Sequence, residues 1–152
     1  MTPPADDFID AEQPVTSTDL AEVERSLDFI FPPQFRSHYL THNGGSPRRC
    51  LFHGKETIHV VNQFLPIKYG RKDYRFEDVY RDLKVERGIL PKHLVAFADD
   101  PGGDFYCFSV RDQDAGSIWL YIGEYGDEPK RASKFLAPSL ADFLAGLRED
   151  KE

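Results

Sequence analysis

Three aspartates, Asp99, Asp100 and Asp104, crowd the stretch FADDPGGDFYCFSV at 97–110 around a Pro-Gly-Gly turn. Carboxylate oxygens are the donors that Mg²⁺ and Ca²⁺ favour, so a cation site is one reading. The stretch lacks the alternating aspartates and distal bidentate glutamate of a calcium loop. A second reading is geometric. Pro101 presets one backbone angle, and Gly102 or Gly103 supplies the positive φ that a tight connection between strands needs. In a third, the acids of that tip meet a partner. The turn reading needs no ligand and is preferred; no metal or other cofactor is expected.

Other reactive types are scattered. His38 and His42 stand four apart on an expected helix, a spacing that offers two imidazoles to one zinc, and Cys50 and His53 follow. Their spacing matches no zinc finger, and the histidine pair lacks the intervening glutamate of a zinc protease. Two histidines near a helix C-terminus also suit the negative end of its dipole. No G-x-S-x-G elbow, phosphate loop or G-x-G-x-x-G is present. Cys107, between Tyr106 and Phe108, reads as a buried, inert thiol in a strand. No catalytic residue is expected.

Charge is distributed unevenly. Residues 1–30 hold eight of the 26 acids and one base, Arg25, whereas residues 31–152 hold 18 of each. An acidic excess disfavours nucleic acid, whose binding rests on cationic contacts to phosphate, and suits a basic partner. Lys68, Arg71, Lys72 and Arg75, interleaved with Tyr69 and Tyr74, are the one basic patch on which bases would stack; a solvated linker is the simpler reading. No apolar run approaches the roughly 20 residues of a membrane helix. MTPPADDFIDAEQ has neither the basic nor the apolar region of a signal peptide. Two cysteines, Cys50 and Cys107, require no disulfide, so a reduced, cytoplasmic protein is expected, without a membrane partner.

The elements that must position these residues follow from periodicity. Residues 1–15, with Pro3, Pro4 and Pro14, read as a flexible acidic arm, and 16–152 as a single domain. Leu20, Val23, Leu27 and Ile30 form one helical stripe, capped by Thr16, Ser17 or Thr18. Pro33 starts a second helix over 33–42, with Phe35, Tyr39 and Leu40 inward, and Asn43-Gly44-Gly45 stops it. Alternation predicts a strand over 58–64, and a helix follows over 76–84. Strands at 94–98, 105–110 and 117–122, joined by turns, form an antiparallel meander. Residues 124–134 read as loop, and Ser139 caps a last helix with Leu140, Phe143, Leu144 and Leu147 inward. The predicted class is α+β, a central, largely antiparallel sheet with N- and C-terminal helices packed on it. In the last meander strand Trp119 and Tyr121 share one face, either core or an aromatic anchor of the kind found in binding hot spots.

Landmarks in this order are LAEVERSLDFIFP with its central Glu24, the helix start at Phe31-Pro32, HNGGSP at 42–47 and LPKHLVAFADDPGGDFYCFSV at 90–110. Gly-Ser-Ile-Trp at 116–119 and SLADFL at 139–144 complete the set. Over roughly residues 16–147 the chain resembles the SUKH superfamily, which groups fungal cell-wall assembly regulators with many bacterial immunity proteins. Phe31 stands where an aliphatic residue is usual, and the acidic arm is not part of the shared pattern. The resemblance implies a non-enzymatic, protein-binding role: many bacterial members are thought to neutralise a polymorphic toxin, often a nuclease, by direct binding. The residues expected to meet a basic toxin are the Glu22, Glu24 and Asp28 face, the Asp99, Asp100 and Asp104 tip, and Tyr106, Trp119 and Tyr121. The alternatives are a regulatory scaffold and a metal-dependent hydrolase built on the aspartates or histidines.

Overall fold

The computed structural model of the chain describes residues 7–150. In order, its elements are β1 (Phe8–Ile9), α1 (Ser17–Leu27), α2 (Pro33–Thr41), β2 (Ser46–Pro47), β3 (Leu51–His53), β4 (Ile58–Val60) and β5 (Gln63–Phe64). Then come α3 (Phe76–Tyr80), a wide helical turn (Arg81–Glu86), β6 (Leu94–Asp99), β7 (Phe105–Ser109), β8 (Ile118–Tyr121), α4 (Pro129–Ala132), β9 (Ser133–Ala137), α5 (Leu140–Ala145) and β10 (Leu147–Arg148).

The centre is an antiparallel five-stranded sheet in the order β5-β6-β7-β8-β9, so the class is α+β. A bulge between Ala96 and Ala98 turns Phe97 onto the same face as Tyr106 and Phe108. On that face Phe35 of α2 packs its ring 4.3 Å from Phe108 and 4.9 Å from Phe97. Phe143 of α5 reaches Phe97 and Tyr106. Aromatic side chains bury the largest apolar areas, and this ring cluster fixes both helices to the sheet. A three-stranded sheet, β10-β3-β4, is tied in where Phe52 stacks on Phe143.

Local chemistry sets the helix ends. The Thr16 hydroxyl accepts from Asp19 N while the Asp19 carboxylate accepts from Thr16 N, a capping box at the start of α1. Asp28, at φ 61°, closes it in the left-handed conformation. The helix therefore ends before Ile30, which is 73% exposed and leaves the expected stripe. In α2 Leu40 is exposed and His38 is buried in its place. The expected strand over 58–64 is two strands in different sheets: Val61 N donates to Cys50 O, and Asn62 N to Asp99 O. The segment read as loop contains α4 and the start of β9.

Residues 1–6 of the expected arm lie outside the described residues. Residues 7–15 lie against the domain: β1 pairs with β2, and Phe8 and Val15 are buried. Phe8 sits among His38, His42 and Phe64, with ring centres 4.7–5.2 Å away. Among the described residues neither His38 ring nitrogen has a hydrogen-bond partner, and burial pushes His38 down to about 3, below its ordinary 6.5. As pH falls below about 6.5 the unfolded chain takes up a proton that the folded chain refuses. Stability should then fall by up to about 1.4 kcal/mol per pH unit from this group, down towards pH 3. His38→Phe, which keeps a ring among Phe8 and Phe64, should flatten that slope between about pH 6.5 and 5 in urea denaturation. Parallel wild-type and variant curves would contradict a neutral buried His38.

Candidate functional site

At the β6–β7 tip each aspartate is engaged with backbone. Asp100 Oδ1 accepts from Gly102 N and Asp104 N, both at 2.9 Å. Asp104 Oδ1 accepts from Gly123 N at 3.0 Å, which binds the tip to the loop after β8. Asp99 Oδ1 accepts from Asn62 Nδ2 and Gln63 N. Gly103 takes φ 96°, the conformation that glycine enters without strain. Burial raises the carboxyls of Asp99 and Asp104, and the neighbouring Asp100 charge adds to both shifts. Among the described residues no group of three His, Cys, Asp or Glu side chains is placed to hold a metal ion.

The tip opens onto a groove of about 300 Å³ whose lining includes Asp10, Glu12, Asn62, Arg71, Tyr74 and Asp99. Acids from the start of the chain thus meet the acid that ends β6. Asn43 arranges the meeting. Its Nδ2 donates to Gln13 O (2.8 Å) and Ile67 O (2.9 Å), its Oδ1 accepts from Ile67 N (2.7 Å), and its backbone carbonyl accepts from Glu12 N (2.9 Å). Gly45, at φ 92°, lets the arm pass: a Cβ there would lie 2.8 Å from Ile9 O and 3.1 Å from Ala11 N. Gly44, at φ 80°, does the same for Pro66, 2.9 Å from its Cβ position. Inside the groove Arg71 lies 4.9 Å from the centre of the Tyr74 ring. Among the described residues no hydrogen bond or ion pair engages the Asp10 or Glu12 carboxylate.

The other expected binding residues are dispersed. Glu24 is buried; its carboxylate accepts from Phe31 N at 2.8 Å and pairs with Arg36. Its work is to hold the α1–α2 connection. Glu22 is exposed, and Asp28 borders a different groove from Asp99. Tyr106 is fully buried and donates to Val60 O (2.7 Å); Tyr121 is buried and donates to Ile89 O (3.1 Å). Neither presents a surface to a partner in this structure. Trp119 is half-buried, donates to Ser117 Oγ and lies edge-on to Phe135, which is 53% exposed.

The remaining chemical candidates are also accounted for. Cys107 is buried, which pushes its thiol up. His38 and His42 pack on Phe8, whereas His53 is exposed on β3 and Cys50 is half-buried. In the basic patch Lys68 pairs with Asp19 (3.0 Å), and Arg75 donates to Gly70 O. Asp10, Glu12 and Asn62 were not among the residues the sequence singled out for binding, and Tyr74 was named only as part of the basic patch. The available signal was the apolar residues in the arm, Phe8, Ile9 and Val15, which an unattached acidic segment has no reason to carry.

The sequence model of the SMI1 / KNR4 family (SUKH-1) matches residues 14–146. No curated protein matches the chain. The matched span contains the helix with Glu24, the Asn-Gly-Gly stop and the β6–β7 tip, whereas Asp10 and Glu12 fall before it.

The two glutamates of α1 should separate cleanly by mutation. Glu24→Ala leaves Phe31 N and Arg36 without their carboxylate and should cost about 2–4 kcal/mol. Glu22→Ala should change stability by no more than about 0.5 kcal/mol. Equal losses in denaturant titration would refute the structural role of Glu24. Asn43→Ala should destabilise by about 2–3 kcal/mol and speed amide exchange at the 8–13 arm more than in β7. Unchanged arm protection would refute the clamp.

Proposed function

The chain belongs to the SMI1 / KNR4 family (SUKH-1), and from that premise we propose that it is a protein-binding module whose basic partner docks on the acidic groove. The observation that carries this reading is that Asp10, Glu12 and Asp99, distant in the sequence, line one groove beside Tyr74. The arm carboxylates are free of internal bonds, so a cationic side chain entering the groove displaces no native contact. Tyr74, 47% exposed, forms the aromatic part of the wall and already carries the Arg71 guanidinium against its ring, the cation contact that its quadrupole favours. Asp100 and Asp104 extend the negative field along the tip, and Glu22 and Asp28 lie outside it.

The specific role proposed is immunity, the neutralisation of a polymorphic toxin such as a nuclease. Occlusion of the toxin's working surface is sufficient, and no bond need be made or broken by this chain. The acidic field steers encounter, while buried contacts set the residence time. The toxin would be met in the cytoplasm by residues 16–152 acting as one domain with the arm docked on it. Among the described residues no helix is long and apolar enough to cross a membrane.

The test begins with tagged protein as bait in the lysate of its source, followed by kinetics with the stoichiometric protein recovered. Glu12→Lys combined with Asp10→Asn should slow association about tenfold at low ionic strength and flatten its salt dependence, with a smaller change in dissociation. Asparagine is chosen because position 10 has φ 59°, which Asn tolerates. Unchanged association at low salt would remove the groove as the docking site. Recovery of several envelope or signalling proteins instead of one basic protein would replace immunity with a regulatory scaffold.

A further inference from the structure

A second groove, of about 720 Å³, lies between the C-terminal end of α1 and the wide turn after α3. The turn, Arg81–Glu86, is a π-helix, closed where Arg87 N donates to Asp82 O five residues back. Such turns are rare and concentrate at functional sites. This one holds Lys84 in the groove wall, half-buried. The Lys84 ammonium donates to Lys92 O at 2.6 Å and lies 5.2 Å from the centre of the Tyr80 ring. Asp28, Asp73, Asp78 and Glu86 line the same groove, yet among the described residues none forms an ion pair with Lys84. Asp78 is turned to Asp73 N, at 2.9 Å. An amine held by a neutral carbonyl and a ring, facing open space, is placed for reaction rather than for pairing.

We infer that Lys84 is a covalent modification site, its amine condensing with a small aldehyde whose apolar or aromatic body rests against Tyr80, Val85 and Leu27. The neutral amine adds its lone pair to the carbonyl carbon, forming the C–N bond. The carbonyl oxygen then leaves as water, carrying away both amine hydrogens, and an imine remains. No oxidant or reductant is required. Burial supports the chemistry by pushing Lys84 down to about 8 from 10.5. The groups around it are Tyr80 from α3, Cys107 from β7, Lys92 and His93 before β6, Arg81, Asp82 and Glu86 on its own turn, and the three aspartates across the groove. Lys68, paired with Asp19, is held above its ordinary value. This site is independent of the acidic groove and of any partner there.

The probe is pyridoxal with cyanoborohydride trapping on the full chain, read by peptide mass spectrometry across a pH series. At about pH 7.5 Lys84 should label at least about tenfold faster than the exposed Lys55, because burial leaves much of the Lys84 amine neutral. The rate should reach half its maximum near pH 8, and Lys84→Arg should remove the fast phase while leaving the far-ultraviolet spectrum unchanged. Labelling of Lys84 at or below the rate of Lys55, or a midpoint above about pH 10, would overturn the proposal and leave Lys84 as a packing residue that anchors Lys92 O.

Discussion

The side-chain amide of Asn43 binds three pieces of chain that have no sequence relation to one another. It holds the arm through Gln13 O, the segment after β5 through both backbone groups of Ile67, and the end of α2 by its own position. An amide buried with its hydrogen bonds made is stable, whereas the same amide with a partner missing leaves a desolvated polar group. The three segments are therefore held together or lost together. Gly44 and Gly45 complete the constraint, because their φ values and the close backbone around them leave no room for a side chain. The acidic groove is a consequence: with the arm held at 43–45 and β5 paired to β6, Asp10 and Glu12 stand beside Asp99.

Acidic residues in this chain divide by what they touch. Glu24 binds Phe31 N and Arg36, Asp19 closes the α1 cap and pairs with Lys68, and Asp100 and Asp104 gather the turn backbone. Their charges are spent on the fold, and removing them acts on stability. Among the described residues Asp10, Glu12 and Glu22 have no such duty, and changing them should leave stability nearly unchanged. The acid count is thus a poor guide to the binding surface. What matters is which carboxylates share a concave wall, whether free of internal donors like Asp10 and Glu12 or held by them like Asp99.

Much of the fold was legible because its central strands are short apolar runs between turn residues and its first and last helices carry side-chain caps. Thr16 and Asp19, Pro33, Asn43-Gly44-Gly45, Ser139 and the meander from Leu94 to Tyr121 all act through local geometry, which a sequence displays directly. The breaks came where tertiary pairing decides. The run 58–64 keeps its alternation only through Val60, and the break at Val61 and Asn62 is where the chain leaves one sheet before joining another at Gln63. Ser133–Ala137 becomes an edge strand by pairing with β8, with little alternation of its own. For the site, the tip was found as a turn with acids, but its partner acids lay in a segment read as unattached. Glu24 and Tyr106 looked like binding residues because their types suit binding; burial beside a backbone donor or acceptor, which spacing does not reveal, assigns them to the interior.

The resulting account is a rigid aromatic core, Phe35, Phe97, Phe108 and Phe143, holding a sheet whose one end gathers negative charge from distant parts of the chain. Family membership supports protein binding, and the groove is the place proposed for it. The most direct test is an amide-exchange footprint of the chain, free and saturated with the basic protein recovered by the tagged bait. The account predicts new protection at 10–13, 62–63, 71–74 and 99–104, with α1 and the turn at 81–86 unchanged. Protection confined to α1 and 81–86, with the acidic groove exchanging as in the free chain, would contradict it.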